Sequence, residues 1–171
     1  MSLTFIAGKA ADAYGGEFAR AVDAALARVF IEPAAAPLEP YESEPVDARG
    51  WHLLQQRVLR EFDTAAFPQL TTVEAYQAVY VPADLPAIEL APIPNAADPL
   101  QIGSLPRLLE ELRRFAAHAR LPTDDVELMK LVVQYLEAED PDVDLDVQMY
   151  VQLMLSARQA SARGQALFIV V

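Results

Sequence analysis

Residues 137–146 hold the densest group of side chains able to do chemistry. Six carboxylates (Glu137, Glu139, Asp140, Asp142, Asp144, Asp146) fall in ten positions with no base among them. Alternating aspartates open a calcium loop, where oxygens at every second position surround the ion. Such a loop also needs Gly at its sixth position and Glu at its twelfth. Counted from Asp142 these are Val147 and Leu153, and counted from Asp140 they are Leu145 and Val151. Two overlapping Asp-x-Asp units suit a divalent ion carrying a nucleotide, so Asp140, Asp142, Asp144 and Asp146 are the metal candidates. The competing explanation is that acids gather at a helix N-terminus, where the backbone dipole favours them, and in the solvated turn before it. That explanation is preferred, and neither metal nor cofactor is expected.

Other local patterns fail on single residues. Gly8-Lys9 follows a strand-like run, but a phosphate-binding loop needs a glycine where Leu3 stands and a hydroxyl where Ala10 stands. None of the five serines lies in a G-x-S-x-G context. With no cysteine, a zinc site would need His52 and His118 together with carboxylates, and the two histidines are 66 positions apart. His118 near a helix C-terminus suits the dipole there, and His52 beside Trp51 reads as a packing neighbour. Trp51, Tyr76 and Tyr80 are placed to line a pocket, but their spacing fits core packing better.

The formal charge of −12, from 25 acids against 13 bases, opposes binding to phosphate backbones and anionic membranes. Neither nucleic acid nor membrane is an expected partner. Apolar runs stay far short of the ~20 residues a bilayer span needs. The first residues lack a signal-peptide pattern, and a chain with no cysteine needs no oxidising compartment. A cytoplasmic location is expected.

Hydrophobic periodicity sets out the elements that would position these residues. A short strand over 3–7 precedes a helix over about 17–30, whose face carries Phe18, Val22, Ala25, Leu26 and Val29. A Pro-rich connection over 33–45 leads to a helix over about 46–67, stopped by Pro68. Alternation over 73–81 predicts a strand. Residues 82–106 hold six prolines, so at most a short edge strand near 87–90 is expected there. Leu85, Ile88, Leu90, Ile93, Leu100 and Ile102 make this segment too apolar for a solvated linker. Ser104 is the expected N-cap of a helix to about Arg120, with Pro106 in the first turn. A further helix follows over about 123–139, and its apolar positions (Val126, Met129, Val132, Val133 and Leu136, with Leu128 and Leu131) cover more than one face, so it is expected near the core.

Residues 142–152 alternate as a strand would, yet Val143, Val147, Val151, Met154 and Leu155 also form a helical stripe. Leu, Met, Gln and Ala are helix formers, and Asp140-Pro141 makes an N-cap with a first-turn proline. A helix is therefore expected, closed by Gly164. Leu167 to Val171 are consecutive apolar residues, a pattern for a strand covered on both faces with the N-terminal strand as neighbour. Some of the arginines among those of the 105–120 helix, Arg158 and Arg163 are expected to meet the acidic stretch, within the chain or across a dimer.

The expected fold is one α+β domain over 1–171, helix-rich with about five helices, and a small sheet including the N- and C-terminal strands. The function expected is non-catalytic binding by an acidic regulatory, adaptor or inhibitor-type protein, with a protein partner or a second copy (a homodimer). The alternative is a small-ligand-binding protein or enzyme whose site is assembled from separated carboxylates, His52 and His118.

Overall fold

A computed structural model describes residues 1–32, 38–137 and 144–171. Its frame is a mixed sheet in which β1 (Ser2–Gly8) and β7 (Ala166–Val170) lie side by side, antiparallel, with Phe5 opposite Ile169 and Ile6 opposite Phe168. The far side of β7 is taken by β4 (Ala78–Val81), also antiparallel. Beyond it β6 (Leu100–Ser104) runs parallel to β4, and β5 (Glu89–Ala91) closes that edge. Two short strands, β2 (Tyr41–Glu42) and β3 (Val46–Asp47), pair with the other side of β1.

Period-two alternation sends each strand's side chains to two different cores. Leu3, Phe5, Ala7, Ala78, Tyr80, Leu167 and Ile169 enter one, shared with α3 (Arg49–Glu61), α4 (Pro68–Thr71), α5 (Leu105–Ala119), α6 (Asp125–Leu136) and α7 (Leu145–Arg163). Ile6, Val79, Val81, Ile102, Ala166 and Phe168 enter the other, shared with α1 (Ala10–Ala13) and α2 (Gly16–Leu26). The α+β class, the helix-rich balance and the inclusion of both terminal strands in the sheet hold. Seven α-helices stand among the described residues where about five were expected, because α1 and α4 are single turns of four residues.

The C-terminal strand is interior, as its unbroken apolar run implies: Leu167 and Phe168 are fully buried, one on each face. The 145–163 stretch is helix, and Gly164 closes it in the left-handed conformation at φ 62°. The expected cap at Asp140-Pro141 lies outside the described residues. This helix is buried almost all round, packing on α3, α5, α6 and β1. Its polar side is buried too. Gln152 Nε2 donates to the Tyr135 hydroxyl, and Ser156 Oγ donates to Gln152 O at 2.6 Å.

Four boundaries differ from the periodicity. The helix expected over 46–67 is divided, because Val46 is drawn into pairing with Leu3 and Asp47 Oδ1 accepts from Arg49 N at 2.8 Å. At the other end Phe62 turns extended, packing on the Phe67 ring 4.5 Å away, and Pro68 begins α4 instead of ending α3. The strand expected over 73–81 starts only at Ala78, since Gln77 sits at φ 53°, a left-handed conformation no strand continues through. The helix expected over 17–30 ends at Leu26. Finally, the Pro-rich segment carries the interior strand β6 as well as edge strand β5. Its prolines flank β6, so the ladder is intact.

Candidate functional site

Of the four metal candidates, Asp140 and Asp142 lie outside the described residues. Asp144 precedes α7 at φ 56°, and its carbonyl accepts the helix's first bond, from Gln148 N at 2.9 Å. Asp146, two residues on in the first turn of α7, accepts from Arg57 NH1 at 2.8 Å. Arg57 also reaches Glu61 Oε1 through Nε at 3.1 Å, and His118 Nε2 lies 3.3 Å from the other oxygen of Glu61. Residues from α3, α5 and α7 thus converge on one guanidinium, which lies 5.3 Å from the Phe115 ring centre. The Arg57 guanidinium bridges the carboxylates of Glu61 and Asp146. Among the described residues no group of three or more side chains is arranged to hold a metal ion. His52 is not part of the network, and its ring meets Gln56 Nε2 at 2.7 Å. Trp51 and Tyr80 are buried, with Trp51 Nε1 donating to Val73 O at 3.2 Å, while Tyr76 is half-exposed.

A second cluster escaped the reading by motif. Glu111 projects from α5 into a buried position beneath the first turn of α4. Its two oxygens accept the backbone N–H groups of Gln69 and Leu70, each at 2.9 Å, donors that a helix start leaves unpaired. Gln69 continues the network: its Oε1 accepts Ser104 N at 2.8 Å, and its carbonyl accepts the buried Tyr80 hydroxyl at 2.8 Å. Gly103 makes room for this arrangement, because a Cβ there would lie 2.6 Å from Tyr80 Cδ1 and 2.7 Å from Gln69 Oε1. Burial pushes the Glu111 carboxyl up to about 7, against the opposing pull of the two N–H groups and Arg114.

Above Glu111 opens a cleft of about 630 Å³, lined by Asp84, Arg107, Glu110 and Arg114 among others. It lies where the parallel strands β4 and β6 end, the position at which open α/β sheets take ligands. Its guanidiniums are engaged in holding the walls. Arg107 Nε bonds Asp84 at 2.5 Å, and Arg114 NH2 donates to Ala66 O at 2.5 Å while lying over the Phe67 ring. Both oxygens of Glu111 face backbone donors, so the carboxyl serves as the cap of α4. The signal for it was present in the spacing: Glu111 lies three residues after Leu108 and four before Phe115, on the buried stripe of α5.

A third feature is apolar. The helix expected near the core on the strength of its two apolar faces lies at the surface: on α6 only Leu128 and Val132 are buried, and Val126, Met129, Val133 and Leu136 form a second stripe turned outward. Their exposures are 66%, 50%, 49% and 59%. Val126, Met129 and Val133 line a shallow open depression with Asp125, Lys130 and Gln134 at its sides. Acids surround it. Asp124 caps the helix through Glu127 N at 3.0 Å, Arg158 Nε meets Asp125 at 3.0 Å, and Lys130 Nζ meets Glu127 at 2.5 Å.

Comparison with protein families, with curated proteins and with solved structures returns no match. The carboxylates of the charge network and both oxygens of Glu111 meet protein partners, Gln69 Nε2 beside Glu111 is a buried donor with none, and the outward stripe of α6 faces solvent.

Proposed function

We propose that this chain is a non-catalytic acidic binding protein, of regulatory, adaptor or inhibitor type, whose partner is another protein docking on α6. The observation that carries this reading is the outward stripe Val126, Met129, Val133 and Leu136. Isolated exposed apolar residues are ordinary, but a continuous apolar stripe on a helix already packed by its opposite face has a contact role. The net charge of −12 supports a protein over a nucleic acid or a membrane surface. No helix among the described residues is long and apolar enough to cross a bilayer. The absence of cysteine agrees with a cytoplasmic setting.

The test compares the parent chain with Met129→Glu plus Val133→Glu. Both positions are half-exposed, so the melting temperature should stay within a degree or two while binding is lost. The partner recovered by the parent is identified, purified and titrated against both forms. A Kd weakened at least about tenfold, or ~1.4 kcal/mol, supports the reading. Equal affinity for the two forms moves the contact surface away from α6.

The alternative, a small-ligand protein or enzyme, draws on the cleft above Glu111. It requires a ligand that protects the 105–114 amides and whose affinity follows the protonation of Glu111.

A further inference from the structure

The outward stripe on α6 has features that specify what covers it. Resting on the docking role proposed above, we infer that the occupant is an amphipathic helix of a partner protein carrying lysine and arginine beside its apolar face. The spacing comes first. Val126, Met129, Val133 and Leu136 succeed one another by three, four and three residues, the interval at which side chains of one helix seat between those of another. A strand or an extended peptide has no matching repeat.

Charge then selects the helix. From Asp124 to Asp146 nine acids stand against Lys130 alone, a net −8. Lys130 is committed to Glu127 within the chain. Arg158 on Asp125 and Arg57 on Asp146 offset two more acids, and the stretch remains strongly negative. An apolar seam with Asp125 at its side and Glu137 following its last residue, in a chain of net charge −12, attracts cations flanking the partner's seam.

The same facts exclude a second copy of this chain. The stripe is symmetric about position 131, with Val126 answering Leu136 and Met129 answering Val133, so two α6 helices would match in shape when antiparallel. That alignment sets Asp124, Asp125 and Glu127 of one helix beside Glu137 of the other at both ends. Acids would face acids.

The test uses the full chain and three labelled probe peptides of roughly 18 residues, a length of about five helical turns. One has leucine at i, i+3, i+4 and i+7 positions with lysine and arginine elsewhere. The second has the same composition scrambled to remove the apolar face, and the third replaces the cations by glutamate. Fluorescence anisotropy should show the first binding at least about tenfold tighter than either other peptide, weakening on going from ~0.05 to ~0.5 M salt. Met129→Glu plus Val133→Glu should abolish that binding. Equal binding of the cationic and glutamate peptides, both lost in the variant, would keep α6 as the docking surface and overturn the basic partner. Scrambled peptide binding as well as the amphipathic one, or a variant that binds unchanged, would overturn this inference and the α6 reading with it. Light scattering that shows a dimer dissociated by the same substitutions would make the occupant a second copy. Failure of all three peptides overturns the inference alone, since an identified partner can still be lost in the variant.

Discussion

Glu111 shows how a single carboxyl can be fixed by the backbone it serves. Two N–H groups of α4 point at its two oxygens, which favours the ionised form, while its removal from water favours the neutral one. Burial prevails, and the group titrates near 7 instead of its ordinary 4.5. The folded chain therefore holds a proton between about pH 4.5 and 7 that the unfolded chain has already released. Stability from this group is fully present below that window and is lost as pH rises through it. The expected outcome is a fall in Tm on the order of a few degrees from pH 5 to pH 7.5 that Glu111→Gln removes. Repulsion among the other carboxylates contributes a slope of its own, but that slope is common to both forms. The decisive quantity is the difference between the two pH profiles measured by calorimetry. Parallel profiles would mean that Glu111 is ionised throughout, with its N–H partners outweighing burial.

At the scale of elements, the sequence was most legible where local preference and burial agree. The α5 helix is the clearest case: the Ser104 side chain accepts Arg107 N, Pro106 stands in the first turn, and the apolar stripe faces the core. The α7 helix was harder, because its alternation of Val and Leu with Asp and Gln also fits a strand. A helix buried on nearly every side has no solvent-facing stripe to mark its period, and its polar side at Gln148, Gln152 and Ser156 goes inside with the valines. Strand β6 was obscured by the prolines on either side of it, and β4 was overextended because nothing in the residue type of Gln77 announces a positive φ. Of the sites, the carboxylate run and the histidines were visible but not their partners. Arg57 meets Asp146 across 89 positions, a distance over which one sequence gives no pairing signal. The crossing of α3 and α7 has a similar hidden requirement. Gly50 faces Leu145 O, and a Cβ there would lie 2.6 Å from that oxygen and 3.2 Å from Met149 Cβ. On an open helix Gly→Ala stabilises by up to ~1 kcal/mol. Here Gly50→Ala should destabilise by ~1–3 kcal/mol through overpacking against backbone, read as a lower denaturant midpoint. A raised midpoint would show that the two helices separate without cost.

For the whole molecule, stability depends on one strand that both cores share. β7 pairs with β1 on one side and β4 on the other, so it joins the two parts of the sheet. Phe168 on one face and Ile169 on the other are buried in different cores. Withdrawing them from water contributes about 1.5–3 kcal/mol each. Their sum is a large part of the 5–15 kcal/mol by which a domain is ordinarily stable. Deleting residues 168–171 removes both, together with most of two hydrogen-bond ladders, and leaves the facing edges of β1 and β4 unpaired. Helices α3 to α7 would still collapse on one another, because much of their packing is mutual. The expected product keeps most of its far-ultraviolet dichroism, loses its near-ultraviolet signal from Trp51 and the tyrosines, and associates through the exposed edges. Substituting Phe168→Ala alone should cost ~3–5 kcal/mol while leaving the ladders in place. The contrast separates side-chain burial from strand pairing. A truncated chain that stays monomeric and melts at the parent temperature would show that β1 and β4 hold together without β7.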